Sequence, residues 1–214
     1  MLFRSSRENN LIDIGIDNPE GVGVLHDPHD PDPQRRYKAF FWDRRLPPPE
    51  DDTDVPPELK QTPVDPPGLS EAQRSGGMWV AFSADGLKWK TVGPVLTQAS
   101  DTTHTILFDP RRQVYLGYGR MGFGRTVALT ESVDALHWSV PRRVLACDQD
   151  DGSLGQIYGM PVDRYEELFL GMFWMYREGT DAKIDTQLAV SRDGRRWRRV
   201  ADRQTFLENG PEGA

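Results

Sequence analysis

Short runs of alternating apolar and polar residues recur along the chain, separated by Gly, Pro, Asp and Asn. Met78-Trp79-Val80-Ala81-Phe82, Thr126-Val127-Ala128-Leu129 and Thr186-Gln187-Leu188-Ala189-Val190 are three of them. Their period is two, and no stretch sustains a helical period, so the pattern predicts strands throughout. Each run leads into one motif, S-x-D-(G/A)-x-x-W: Ser83-Ala84-Asp85-Gly86-Leu87-Lys88-Trp89, Ser132-Val133-Asp134-Ala135-Leu136-His137-Trp138 and Ser191-Arg192-Asp193-Gly194-Arg195-Arg196-Trp197. A further short run follows, as in Trp89-Lys90-Thr91-Val92. Strand, Asp-Gly turn, strand is a hairpin signature.

A second pair of runs precedes each hairpin. These are Val22–Leu25 with Tyr37–Trp42, Thr105–Phe108 with Val114–Tyr118, and Gln156–Met160 with Leu168–Trp174. The turns within the pairs read as Asp27-Pro28, Asp109-Pro110 and Pro161-Val162-Asp163. Each unit is then a four-stranded antiparallel meander of about 50 residues, the sequence form of a β-propeller blade. The expectation is an all-β propeller in one domain, 1–214, with blade units at about 17–95, 101–146 and 152–202. Residues 203–214 would begin another blade.

The motif's aspartates invite a catalytic reading, but three copies at blade spacing argue for scaffold. Gly tolerates positive φ, the Asp side chain bonds nearby backbone N–H groups, and the Trp packs between blades. His26-Asp27-Pro28-His29-Asp30-Pro31-Asp32-Pro33 resembles a metal cluster in composition; its Asp-Pro spacing is that of an irregular turn, and no metal is expected. Asp148-Gln149-Asp150-Asp151-Gly152 fails as an EF-hand, because Gly159 stands where the closing Glu is needed. Gly117-Tyr118-Gly119-Arg120-Met121-Gly122 matches a dinucleotide fingerprint only formally, since a strand follows it instead of a helix. Cys147 has no CxxC partner, and no serine-hydrolase elbow is present. No cofactor is expected.

Charge changes the picture in one place. The chain carries a net charge of −7, and residues 46–75 hold seven acids, two bases and eight of the 17 prolines. That stretch reads as an extended, partly polyproline, solvated insertion between the second and third strands of the first unit. An acidic chain lacks the basic face that nucleic acid requires. No apolar run is long enough to span a membrane, no secretory signal opens the chain, and one cysteine suits a reducing compartment, so a cytoplasmic location is expected.

In a propeller the first strand of each blade lines the channel, so polar residues where those strands begin are the site candidates. The first unit supplies Asp17, Asn18 and Glu20, and the second Asp101, Thr102, Thr103 and His104. The third supplies Asp151, Gln156 and Tyr158, with Arg120 and Arg177 at the ends of second strands. Converging carboxylates could act as acid, base and stabiliser on a glycosidic bond.

Several stretches carry a resemblance: Asp101-Thr102-Thr103-His104 through Asp109-Pro110, Tyr115 through Arg120, Tyr158-Gly159-Met160-Pro161, the repeated hairpins, and Asn209-Gly210-Pro211-Glu212-Gly213. The chain resembles the five-bladed propeller superfamily of invertases, levansucrases, arabinanases and β-xylosidases, which includes uncharacterised bacterial members. The resemblance implies sugar binding at the channel mouth, with Asp17 or Glu20 as base or nucleophile and Asp101 as stabiliser. His104, Arg120, Asp151, Gln156, Tyr158 and Arg177 would then bind substrate. It also places Gly159 where invertase-like relatives carry the acid Glu. Losing that proton donor costs about 10²–10⁴ in rate, unless Asp151 or Glu212 substitutes.

The function expected is a glycoside-hydrolase-like protein that binds carbohydrate in its channel and hydrolyses it if the acid is replaced. The alternative is a non-catalytic carbohydrate-binding or scaffold module, and the oligomeric state stays open. At about 50 residues per blade, five blades need roughly 250 residues, more than the 214 here, so a fragment with about three blades is expected.

Overall fold

The structure is a computed structural model that describes residues 12, 14–16, 19–43, 76–96, 102–121, 124–177, 179, 183–208 and 210. The Pro-rich stretch 46–75, together with Asp17, Asn18, Asp101 and Glu212, lies outside them.

Three antiparallel sheets follow one another along the chain. The first is β1 (Glu20–His26), β2 (Tyr37–Asp43), β3 (Gly77–Ser83) and β4 (Lys90–Leu96), hydrogen-bonded in that order. The second is β5 (Thr105–Asp109), β6 (Val114–Gly119), β7 (Val127–Ser132) and β8 (Arg142–Leu145), again in order. The third contains β9 (Gly155–Gly159), β10 (Val162–Tyr165), β11 (Leu168–Arg177), β12 (Ile184–Ser191) and β13 (Arg198–Arg199). These are the blades of an all-β propeller.

The third blade departs from expectation at its first turn. Pro161-Val162-Asp163 is not a turn: β9 and β10 both pair with β11, so they form one first strand interrupted at Met160-Pro161. Proline has no N–H to give the ladder, which splits the strand without ending it. The true turn is Glu166-Glu167, with Glu166 at φ 50.

Apolar faces meet between the blades. Phe40, Val80, Ile106, Tyr115 and Trp138 join the first to the second. Leu116, Tyr118, Ile157, Phe169 and Phe173 join the second to the third. Ile14 covers Ala39, Phe41 and Ala81 on the outer side of the first.

The three hairpin motifs repeat one geometry. Oδ1 of Asp85 accepts from the N–H groups of Leu87 (2.8 Å) and Lys88 (2.9 Å). Asp134 does the same with Leu136 and His137, and Asp193 with Arg195 and Arg196. Gly86, Ala135 and Gly194 take positive φ at 76°, 61° and 69°. Trp138 stacks on Phe40 of the preceding blade at 4.9 Å, and Trp197 meets Tyr118 edge-on at 5.9 Å. The hairpins are scaffold.

A second device repeats beside them. Arg35, in the β1–β2 turn, donates to the Asp134 carbonyl, and Arg112, in the β5–β6 turn, donates to the Asp193 carbonyl at 3.1 Å. The first blade thus grips the hairpin of the second, and the second that of the third. Arg112 also joins Arg142 and Arg195 on the Glu131 carboxylate. In the His26–Pro33 turn, the buried Lys38 ammonium lies between Asp27 (3.2 Å) and Asp30 (2.7 Å), with the Tyr115 hydroxyl 2.8 Å from Asp27.

Burial works against ionisation of Asp134, but the His137 backbone and side chain and the Leu136 N–H outweigh it and hold the carboxyl at about 2. Asp85 is lowered chiefly by the Lys88 and Leu87 N–H groups, and Asp193, against burial, by those of Arg196 and Arg195. A folded-state value below the unfolded one stabilises above the unfolded value and is lost as pH falls through the folded one. The thermal midpoint is therefore expected to drop between about pH 4 and pH 2, less steeply in Asp134→Asn, as followed by circular dichroism.

Candidate functional site

An antiparallel meander brings the start of each first strand beside the end of its second strand. Glu20 pairs with Trp42, Thr105 with Tyr118, and Gly155 with Arg177. The described residues at the starts of the first strands and at the ends of the second strands therefore share one face of the molecule. The hairpin motifs lie at the other end of the strands.

At this face the backbones come into close contact. The Gly21 carbonyl accepts from the His104 N–H at 3.0 Å, and the His104 Nδ1 lies 2.8 Å from the same oxygen. A Cβ on Gly21, at φ +63, would stand 1.7 Å from the Thr102 carbonyl oxygen, and one on Gly23 would stand 2.3 Å from that of His104. On the other side the Thr102 hydroxyl donates to the Tyr158 carbonyl at 3.0 Å, and the Val162 N–H donates to the Thr105 hydroxyl at 3.1 Å. Residues 102–105 are clasped between the first strands of the other two blades.

His104 is 3% exposed and belongs to this junction. Gly159 belongs to it as well. A Cβ there would lie 2.9 Å from the Trp174 ring and 3.1 Å from Thr102 and Thr103. The position where the acid Glu was expected is crowded, by Trp174 of its own blade and by Thr102 and Thr103 of the preceding one, so any side chain there must displace them.

A polar cluster surrounds Tyr158. Its ring meets Tyr176 edge-on at 6.1 Å, and the Arg120 and Arg125 guanidinium carbons lie 5.1 Å and 5.5 Å from its centre. Arg125 is also 5.1 Å from the Tyr176 ring and donates to the Gln156 side-chain oxygen. Arg177 pairs with Asp185 at 2.7 Å, and Gln187, 3% exposed, reaches Asp185 at 3.4 Å. Glu20 is half-buried at the start of β1.

The structure thus brings Arg120, Gln156 and Tyr158 together, with Arg177 on the strand paired to β9. Asp151 is engaged elsewhere: its side chain is 4% exposed and is held by Arg199 and Arg203. Burial opposes its ionisation, but Arg199 outweighs this and lowers the carboxyl. Burial first, then Asp151, raises the nearby Cys147 thiol to about 11, which keeps it protonated. The catalytic candidates Asp17 and Asp101 lie outside the described residues. Arg125, Tyr176 and Asp185 carry no signal in the sequence that marks them as site residues. Among the described residues no three His, Cys, Asp or Glu side chains are grouped so as to hold a metal ion. Nor does any described helix have the length and apolarity to cross a membrane.

No protein-family model matches the sequence, and no curated protein matches it. Solved structures do match. An N-acetylgalactosamine deacetylase from F. plautii, in complex with blood group B trisaccharide, is similar over 92% of this chain and 72% of its own, with 17% identity and a TM-score of 0.52. A family 117 glycoside hydrolase produced by the marine bacterium Zobellia galactanivorans is similar over 86% of this chain and 54% of its own, with 14% identity and a TM-score of 0.52. Another glycoside hydrolase is similar over 81% and 46%, with 14% identity and a TM-score of 0.51. The chain spans about half the length of the last two. At this identity the likeness establishes the fold, that of propeller-type glycoside hydrolases.

Gly159→Ala is expected to destabilise the protein by about 1–3 kcal/mol through overpacking, read from urea unfolding. Gly159→Glu is expected to unfold the junction and create no glycosidase activity.

Proposed function

We propose that the protein is a glycoside-hydrolase-like carbohydrate-binding protein whose site is the face around Tyr158. The observation that carries this reading is the cluster itself. Two tyrosines, a side-chain amide and two guanidinium groups meet at the start of the third blade's first strand, on a fold found in proteins that act on glycans. Aromatic rings with a few placed polar groups are what a sugar needs: apolar C–H faces against rings, and hydroxyls against amides and charges. Fold alone does not choose the reaction, since a deacetylase and a glycoside hydrolase share it here.

Hydrolysis, in this reading, falls to Glu20 with Asp17 and Asp101. One carboxylate would attack or activate water, and another would steady the oxocarbenium-like centre. Arg120, Gln156, Tyr158 and Arg177 bind the sugar. The crowded space at Gly159 favours the second reading, a module that binds without cleaving.

The test is isothermal titration of the full chain with a panel of oligosaccharides, alongside product analysis on the same panel. Binding is expected, and Tyr158→Ala should weaken it about tenfold, or 1.4 kcal/mol. If turnover accompanies binding, Glu20→Gln is expected to lower it by about 10² or more while binding persists. Binding without turnover selects the module. No binding anywhere on the panel removes both readings.

A further inference from the structure

The chemistry around Tyr158 narrows the class of sugar. Arg125 lies in the β6–β7 connection, exposed at its side chain and fixed at its backbone. Its carbonyl accepts from the Ile157 N–H of the next blade at 3.0 Å, and the adjacent Gly124 takes φ +65 with nothing packed against it. The guanidinium is aimed by three neutral groups: the Gln156 oxygen, the Tyr158 ring and the Tyr176 ring. Among the described residues no carboxylate meets it.

The other arginine clusters differ. Arg112, Arg142 and Arg195 converge on Glu131, Arg199 and Arg203 on Asp151, and Arg177 on Asp185. Those pairs tie blades or strands together. Arg125 is instead held in place by an amide and two ring faces, which orient it and, among the described residues, leave its charge uncompensated. Such an arrangement lowers the cost of ordering the side chain before a ligand arrives. It also leaves a planar fork suited to an oxyanion. With Arg125 against both Tyr158 and Tyr176, what it offers a ligand is charge together with aromatic surface.

We propose that the sugar taken at this face is anionic, a uronate or a sulfate ester, and that Arg125 receives its oxyanion. This rests on the carbohydrate reading above and adds the substrate class. Lysine would keep the charge and lose the fork, so Arg125→Lys should retain only part of the preference.

Matched pairs test it on the full chain by isothermal titration: oligogalacturonides against their methyl esters, glucuronic-acid-substituted xylo-oligosaccharides against unsubstituted ones, and carrageenan oligosaccharides against their desulfated forms. The pairs separate carboxylate from sulfate. In at least one pair the charged member is expected to bind tenfold or more tightly at low salt, the difference a charge-assisted hydrogen bond makes. That preference should disappear in Arg125→Gln, whose thermal midpoint stays at the wild-type value, and should shrink at 0.5 M NaCl. Equal or tighter binding of the neutral members overturns the proposal and leaves the carbohydrate reading standing, as does a preference that survives Arg125→Gln. No binding by any member overturns both.

Discussion

Residues 102–105 are held from both sides at backbone contact distance, and the position of everything at the candidate face follows from that clasp. Gly21 and Gly23 let the first blade approach the Thr102 and His104 carbonyls, and Gly159 lets the third blade approach Thr102 and Thr103. A methyl group at Gly21 or Gly23 would collide with backbone atoms and push two first strands apart, and one at Gly159 would displace the Trp174, Thr102 and Thr103 side chains. The hydrogen bonds from His104 to Gly21 and from Thr102 to Tyr158 depend on the same spacing. So does the site: Tyr158 is presented beside Arg120 and Arg125 only because β9 runs against the end of the second blade.

The two ends of the strands carry different chemistry. At the hairpin end the acids are matched one after another: Asp85, Asp134 and Asp193 take backbone N–H groups, Glu131 takes three arginines, and Asp27 and Asp30 enclose Lys38. Satisfied groups of this kind fix a structure, and an unpaired buried charge there would be costly. At the opposite end Arg125 is oriented by neutral groups and, among the described residues, meets no carboxylate. Geometry held by neutral groups around a free charge serves recognition better than it serves stability.

Much of this was legible in the sequence because it is local. Period-two alternation marks the strands, and the S-x-D-G-x-x-W copies mark the hairpins, since the Asp bonds N–H groups two and three residues on. The turn of the third blade was misplaced because Pro161-Val162-Asp163 looks like the other Asp-Pro turns, whereas Glu166-Glu167 carries neither Gly nor Pro. Contacts between blades were not legible. Nothing in the spacing of Arg125, Tyr158 and Tyr176 says that they meet, or that Asp151 is taken up by Arg199 and Arg203, some 50 residues on. Gly159 reads as a missing acid in the sequence; in the structure it is a crowded position against Trp174, Thr102 and Thr103.

The central claim is that function resides at the face where the first strands begin and the hairpin end is scaffold. Hydrogen–deuterium exchange of the full chain, with and without a saturating oligosaccharide that it binds, tests this most directly. The account predicts slowed exchange at 102–104, 120–126, 155–158 and 176–177, with none at 84–89, 133–139 or 192–197. Protection confined to the hairpins would contradict it.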